Sequence, residues 1–158
     1  MATPAATALE APSQHLSSAE LETVLAYAEV LVESRALSSE ERGHLVEHLE
    51  ESLRQSTDKL ALYRTTVRVL DRLAGVRFAG LAFRERAALI ARHRLDRRPD
   101  NADDVSGPMG RDTFAVRMRV LPELIEGYWA SPAGWNAIGY ATFPGRCGDL
   151  ERYTRPEV

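Results

Sequence analysis

The sequence predicts an all-α protein, a bundle of about five helices followed by a long, irregular C-terminal arm rich in glycine, proline and aromatic residues. Two observations predict the bundle. Apolar residues recur every three or four positions through several segments, and helix-start signals precede these segments. The arm is predicted because this spacing stops near residue 130, where glycine and proline become frequent and no strand-like alternation takes over.

We expect one domain with three parts. Residues 1–16 are rich in alanine, proline and threonine and are expected to be a flexible lead-in. Residues 17–130 are expected to form the helical bundle, with a surface loop at 96–110. Residues 131–158 are expected to form an irregular, partner-binding arm and a charged tail. The 158 residues are enough for a single core.

Composition is typical of a soluble globular protein, with 44% hydrophobic and 27% charged residues. The formal net charge of −3 does not favour nucleic-acid binding. Almost all cations are arginine, and Lys59 is the only lysine. The single cysteine, Cys147, excludes an internal disulfide and a site with several cysteine ligands.

No part of the sequence has the pattern of a secretion signal or of a membrane span. The first residues contain neither a basic and apolar signal pattern nor a twin arginine. No window approaches the roughly 20 apolar residues that a membrane span needs. We therefore expect a cytoplasmic protein.

Three helices are predicted in the first half of the bundle. Ser17 and Glu20 have the spacing of a capping box and begin the first, which runs to about residue 34. The second covers roughly residues 39–56, with acids in its first turn. The third begins at Thr57 and ends near Gly75.

Two further helices are predicted after a glycine-rich break. Phe78 and Leu81 lie in and just after this break, and both are expected to plug the space between helices. The fourth helix should continue to about Leu95. The last helix should open at Arg111 or Asp112, and Pro122 should kink it or divide it in two.

The sharpest catalytic pattern is H-x-x-E-H, formed by His44, Glu47 and His48 on the second helix. Two histidines four positions apart on a helix can share one zinc ion, with a carboxylate beside them. The neighbouring Glu50 and Glu51 instead favour a solvated acidic face. A free-standing metal-dependent enzyme therefore remains an alternative hypothesis, and no catalytic, cofactor-binding or metal-binding residue is predicted as the main interpretation.

Residues 127–148, the aromatic segment, contain both tryptophans of the chain. Tryptophan, tyrosine and arginine dominate binding hot spots because they bury a large rigid area with a polar group attached. The candidate partner-binding residues are Tyr128, Trp129, Trp135, Tyr140, Phe143, Pro144 and Arg146. Composition alone favours partner binding and capping of the chain's own bundle equally.

Two blocks of the sequence have the pattern of a known family. The first runs from Gly75 through Phe78 and Leu81 into Arg84, Glu85, Arg86, Leu89 and Ile90. The second, and more specific, comprises Gly127, Tyr128, Trp129, Ser131, Pro132, Gly134, Trp135, Ile138, Gly139, Tyr140, Pro144 and Gly145. In these two blocks the sequence resembles the gluconate 2-dehydrogenase subunit 3 family.

This resemblance implies an all-helical small subunit that binds a large flavoprotein of the glucose-methanol-choline oxidoreductase type. FAD would belong to that partner, which oxidises a sugar or polyol, and this chain would carry no cofactor and no catalytic residue. The small subunit would support the partner's folding and stability in a hetero-oligomer. A second alternative is a helical scaffolding or regulatory module with no redox partner.

Overall fold

The computed structural model describes residues 15–32, 35–101, 105 and 109–137, with only the backbone of Asn136 and Ala137. Regular structure within these residues is entirely helical, which confirms the predicted all-α class. The α-helices are α1 (Ser18–Val32), α2 (Ser39–Gln55), α3 (Thr57–Ala74), α4 (Phe83–Arg92), α5 (Gly110–Ala115), α6 (Leu121–Trp129) and α7 (Pro132–Ala137). In the described part of the chain, no helix is long and apolar enough to cross a membrane.

Reciprocal capping boxes begin α1 and α2. The Ser17 hydroxyl accepts the Glu20 amide at 3.2 Å, and the Glu20 carboxylate accepts the Ser17 amide at 2.7 Å. Ser38 and Glu41 make the same pair of bonds at the start of α2. These bonds satisfy amides that have no partner within the helix, so both starts follow from local sequence.

A glycine and a buried phenylalanine form the break after α3. Gly75 has φ of 70°, a left-handed conformation that ends the helix. Phe78 begins a short 3₁₀ turn, Phe78–Gly80, and its side chain is fully buried. Its amide donates to the Asp71 carboxylate at 2.8 Å. The plug expected at Phe78 is confirmed.

The fourth helix is shorter than predicted, because α4 ends at Arg92 instead of near residue 95. Arg94 then has φ of 54°, and this turn buries Leu95 completely. The Leu95 carbonyl accepts the Tyr27 hydroxyl at 2.5 Å. The chain therefore leaves the helix one turn earlier than predicted and buries Leu95 beside α1.

The last long helix is divided, as Pro122 predicts. A π-helical segment, Val116–Val120, joins α5 to α6, and Pro122 lies in the first turn of α6. Proline has no amide to donate, and its ring would crowd the carbonyl four residues earlier. The wider π turn, in which the Leu121 amide reaches the Val116 carbonyl, relieves that crowding. If α5 and α6 are taken as one divided helix, five helices precede the short α7.

The helix α1 lies at the centre of the bundle, where it contacts α3, α4, α6 and the 3₁₀ turn. Its middle is almost completely buried, from Thr23 to Glu29. The core around it is built mainly from Tyr27, Leu45, Leu49, Tyr63, Leu70, Phe78, Ile90, Leu95, Val120, Leu124 and Tyr128.

One buried carboxylate links three helices. Glu29 of α1 accepts Arg42 of α2 at 2.9 Å and Arg86 of α4 at 2.8 Å. Arg42 also binds the exposed Glu22 at 2.7 Å. Each oxygen of Glu29 has a cationic partner, which offsets the cost of burying its charge.

We expect Glu29→Ala to lower the free energy of unfolding by about 3 kcal/mol, because it leaves Arg86 buried without a carboxylate. Glu22→Ala is the matched control, since Glu22 binds the same Arg42 but its side chain is 53% exposed. That change should cost less than about 1 kcal/mol. Urea unfolding of both variants measures the difference, and equal destabilisation would contradict the assigned role of Glu29.

Candidate partner-binding site

The structure separates the predicted partner-binding residues into three groups. Tyr128 is only 1% exposed, and Trp129 is partly buried against the core. Trp135, by contrast, is 47% exposed. Tyr140, Phe143, Pro144 and Arg146 lie outside the described residues.

Tyr128 is fixed inside the bundle by a buried carboxylate. Its hydroxyl donates to Glu41 of α2 at 3.0 Å. Arg35 binds both oxygens of the same carboxylate, at 2.8 and 3.1 Å. Tyr128 is thus part of the chain's own core, where it joins α6 to the start of α2.

The Glu41 carboxylate has a low pKa for a clear reason. Hydrogen bonds from Arg35 lower the pKa to about 2, against the opposing effect of burial, and bonds from Ser38 and Tyr128 contribute in the same direction. Each of these donors prefers the ionised carboxylate. Because the folded-state pKa lies below the usual value of 4.5, Glu41 stabilises the fold at neutral pH.

We expect Glu41→Gln to reduce the free energy of unfolding at pH 7 by about 2 kcal/mol. The difference from wild type should shrink as the pH falls from 4.5 towards 2, where wild-type Glu41 becomes protonated as well. Glu40→Gln is the control, because the Glu40 side chain is 74% exposed. Urea unfolding across this pH range tests the prediction, which a pH-independent difference would contradict.

A glycine lets α6 approach α2 closely. A Cβ atom at Gly127 would lie 2.4 Å from Cδ2 of the His48 ring. The His48 Nε2 atom is buried at this contact and has no hydrogen-bond partner among the residues that the structure describes. The close approach brings the C-terminal end of α6 against α2, next to the point where Tyr128 reaches Glu41.

We expect Gly127→Ala to lower the free energy of unfolding by at least about 1 kcal/mol, because the added methyl group displaces the His48 ring. At Gly43, on the exposed face of α2, a new methyl group would have no described atom within 4 Å other than those of its chain neighbours and its own helix backbone. Gly43→Ala should stabilise the protein by about 0.5 to 1 kcal/mol through helix propensity. Adding His48→Ala to Gly127→Ala should recover part of the loss. Thermal unfolding compares the variants, and equal stability of the two glycine variants would be the contrary result.

A tight corner at Ser131 holds α7 against α6. The Ser131 hydroxyl donates to the Tyr128 carbonyl at 2.6 Å and accepts the Gly134 amide at 3.1 Å. A Cβ atom at Gly134 would lie 2.5 Å from the Tyr128 carbonyl oxygen. Pro132 suits the first position of α7, where no amide is needed. This first part of the arm is therefore a short helix, where sequence predicted irregular structure.

The corner gives the two tryptophans different environments. Trp129 meets the Tyr128 ring edge to face, with centroids 5.2 Å apart and an interplanar angle of 83°. Trp135 lies on α7, which contacts both α2 and α6. Trp129 therefore reinforces the core, while Trp135 presents a large aromatic surface to solvent on a fixed helix.

Sequence reasoning missed a polar cleft of about 520 Å³ between α2, α3 and α6. Lys59 donates to Glu123 at 2.8 Å and to Ser52 at 2.6 Å, and the Ser52 hydroxyl donates to Glu123. Burial alone would raise the pKa of Glu123, but these bonds lower it. The network joins three helices. In the sequence, the feature that indicates it is a polar residue, Ser52, in line with Leu45 and Leu49 on the apolar stripe of α2.

The H-x-x-E-H residues make separate contacts. His44 approaches the carboxylates of Glu40 and Glu47 at 3.8 and 3.9 Å. His48 instead has Nε2 buried against Gly127. Within the residues that the structure describes, no group of three or more histidine, cysteine, aspartate or glutamate side chains is arranged to hold a metal ion.

Comparisons with protein families, with curated proteins and with solved structures find no match to this chain. The function is therefore inferred from the resemblance in the two sequence blocks and from the geometry of α6 and α7.

Proposed function

We propose that the chain is the non-catalytic small subunit of an FAD-dependent sugar or polyol oxidoreductase, and that it binds and stabilises the large flavoprotein subunit. The single observation that carries the proposal is the exposed Trp135 on the short, fixed helix α7. Trp135 also belongs to the more specific of the two blocks that resemble the gluconate 2-dehydrogenase subunit 3 family.

The energetics of an exposed tryptophan support a docking role. Exposing this much aromatic surface to water is unfavourable, and burying it against a partner recovers that free energy. The bonds of Ser131 and the backbone contact at Gly134 already fix the helix that carries it. Little conformational entropy is then lost on docking, which is the condition that favours a binding hot spot.

The chemistry in this proposal belongs to the partner. FAD bound to the large subunit would supply the redox chemistry for oxidation of the hydroxyl group. The small subunit contributes binding free energy to the folded form of the large subunit, which raises that subunit's stability by mass action. Tyr140, Phe143, Pro144 and Arg146, which lie outside the described residues, remain candidate docking residues on the basis of the sequence alone.

Co-expression with an FAD-dependent dehydrogenase encoded next to the gene for this chain, where the gene neighbourhood contains one, tests the proposal. The two should elute together from size exclusion, with flavin absorbance in the peak that contains this chain. The chain should also raise the unfolding temperature of the flavoprotein. Separate elution of the two proteins, or a gene neighbourhood without a flavoprotein, would contradict the proposal.

We expect Trp135→Ala to weaken the complex by about 2 kcal/mol, which is roughly a 30-fold increase in Kd. Met118→Ala is the control, because Met118 is another exposed apolar residue, at 43%, and lies in the π-helical segment, outside α7. It should leave Kd within about twofold of wild type. Calorimetric titration gives both values, and circular dichroism should show unchanged helix content. Unfolding of the isolated Trp135→Ala variant would show instead that Trp135 caps its own bundle.

A further inference from the structure

Charge is divided unevenly along this chain. Residues 57–98, from α3 to the turn after α4, contain eleven lysines and arginines but only four aspartates and glutamates, a formal charge of +7. The other residues contain nine cations and nineteen acids, a formal charge of −10. The overall charge of −3 therefore conceals one strongly cationic region.

Most of the exposed cations in this region do not stabilise the fold through ion pairs. Arg64, Arg86 and Arg97 have carboxylate partners, as does Lys59. Seven other arginines are exposed and form no salt bridge with any described residue. These residues, the arginine surface, are Arg68, Arg72, Arg77, Arg84, Arg92, Arg94 and Arg98.

A groove of about 300 Å³ lies between the end of α3 and α4, and Arg92 of the arginine surface lines it. Leu73, Ala88 and Leu89 supply its apolar lining, and Glu85 and His93 complete it. Arg72 precedes Leu73 on α3 and is exposed. Arginine around an apolar groove is the composition of a protein interface, in which the guanidinium groups bind carboxylates in pairs of hydrogen bonds.

The aromatic residues of this region do not favour single-stranded nucleic acid. Stacking of bases requires exposed rings. Tyr63 and Phe78 are fully buried, and the Arg86 guanidinium covers the Phe83 ring, 5.6 Å from its centroid. The chain outside residues 57–98 is strongly acidic, so it also repels a long polyanion. A local acidic patch on a protein fits this distribution better.

We propose that the arginine surface is a second docking surface, which binds an acidic segment of the large subunit with apolar residues for the groove. The inference rests on the proposed function, because it identifies that subunit as the occupant. The groove lies between α3 and α4, whereas Trp135 lies on α7 against α2 and α6. Two separate contacts to one large partner make the second contact intramolecular, which raises affinity without a larger interface at either.

The test compares two double charge reversals in the complex with the flavoprotein. Arg72→Glu with Arg92→Glu alters the arginine surface. Arg111→Glu with Arg119→Glu alters two other exposed arginines and changes the net charge equally. Calorimetric titration at low and high salt should show at least a tenfold increase in Kd and a weaker salt dependence for the first variant only. The control pair should remain within about threefold of wild type.

The outcomes separate this inference from the proposed function. If Trp135→Ala weakens binding but both charge reversals behave alike, the arginine surface is not a docking surface and the small-subunit role stands. If the wild-type chain does not bind the flavoprotein, both proposals fail. Arginine-dependent binding to phosphatidylserine vesicles, to duplex DNA or to a second copy of the chain, without such binding to the flavoprotein, would assign the surface to a different partner and overturn the inference.

Discussion

The buried carboxylate of Glu29 is the interaction on which the arrangement of the bundle depends. It lies on the central helix α1 and binds arginines from α2 and α4, so the two helices are positioned relative to the same two oxygens. Apolar contacts alone tolerate sliding of one helix along another, but a buried charge requires its partners at hydrogen-bonding distance. Once α2 is fixed in this way, its Glu41 and His48 determine where α6 packs against it.

The contacts between α2 and α6 fix the position of the candidate site relative to the core. Tyr128 needs a hydrogen-bond partner because its hydroxyl is buried, and Glu41 supplies one. Gly127 allows the close approach that this bond requires. The Ser131 hydroxyl then donates to the Tyr128 carbonyl at the corner between α6 and α7. This bond connects α7, and with it Trp135, to the core. The same residues that complete the fold thereby set the position of the exposed tryptophan.

Sequence could predict the features that depend on neighbouring residues. Apolar spacing, the capping box at Ser17 and the acids in the first turn of α2 are local signals, and they located the first three helices. Pro122, also a local signal, predicted the division of the last long helix. The different environments of Tyr128 and Trp135 could not be predicted, because burial of Tyr128 depends on Glu41, which is 87 residues away. The early end of α4 likewise depends on a distant contact of Leu95 with Tyr27. The polar cleft could not be predicted because its lining residues come from three helices, of which α6 is far from the other two in the sequence.

The preference for arginine has a structural explanation in the residues that the fold uses. Arg42 and Arg86 each bind two groups at once, and buried Arg117 donates to the carbonyls of Arg97 and Arg98. A lysine offers a single ammonium and spans such separated acceptors less well. These partners identify the arginines that stabilise the fold. Of the arginine surface, Arg77 shares this role, because it donates to the Ala19 carbonyl of α1 at 3.2 Å. Within the part of the chain that the structure describes, the other six have no such contact with a distant part of the fold, and their clustering adds like-charge repulsion that an acidic partner relieves. This imbalance is the physical reason to connect the arginine surface with binding.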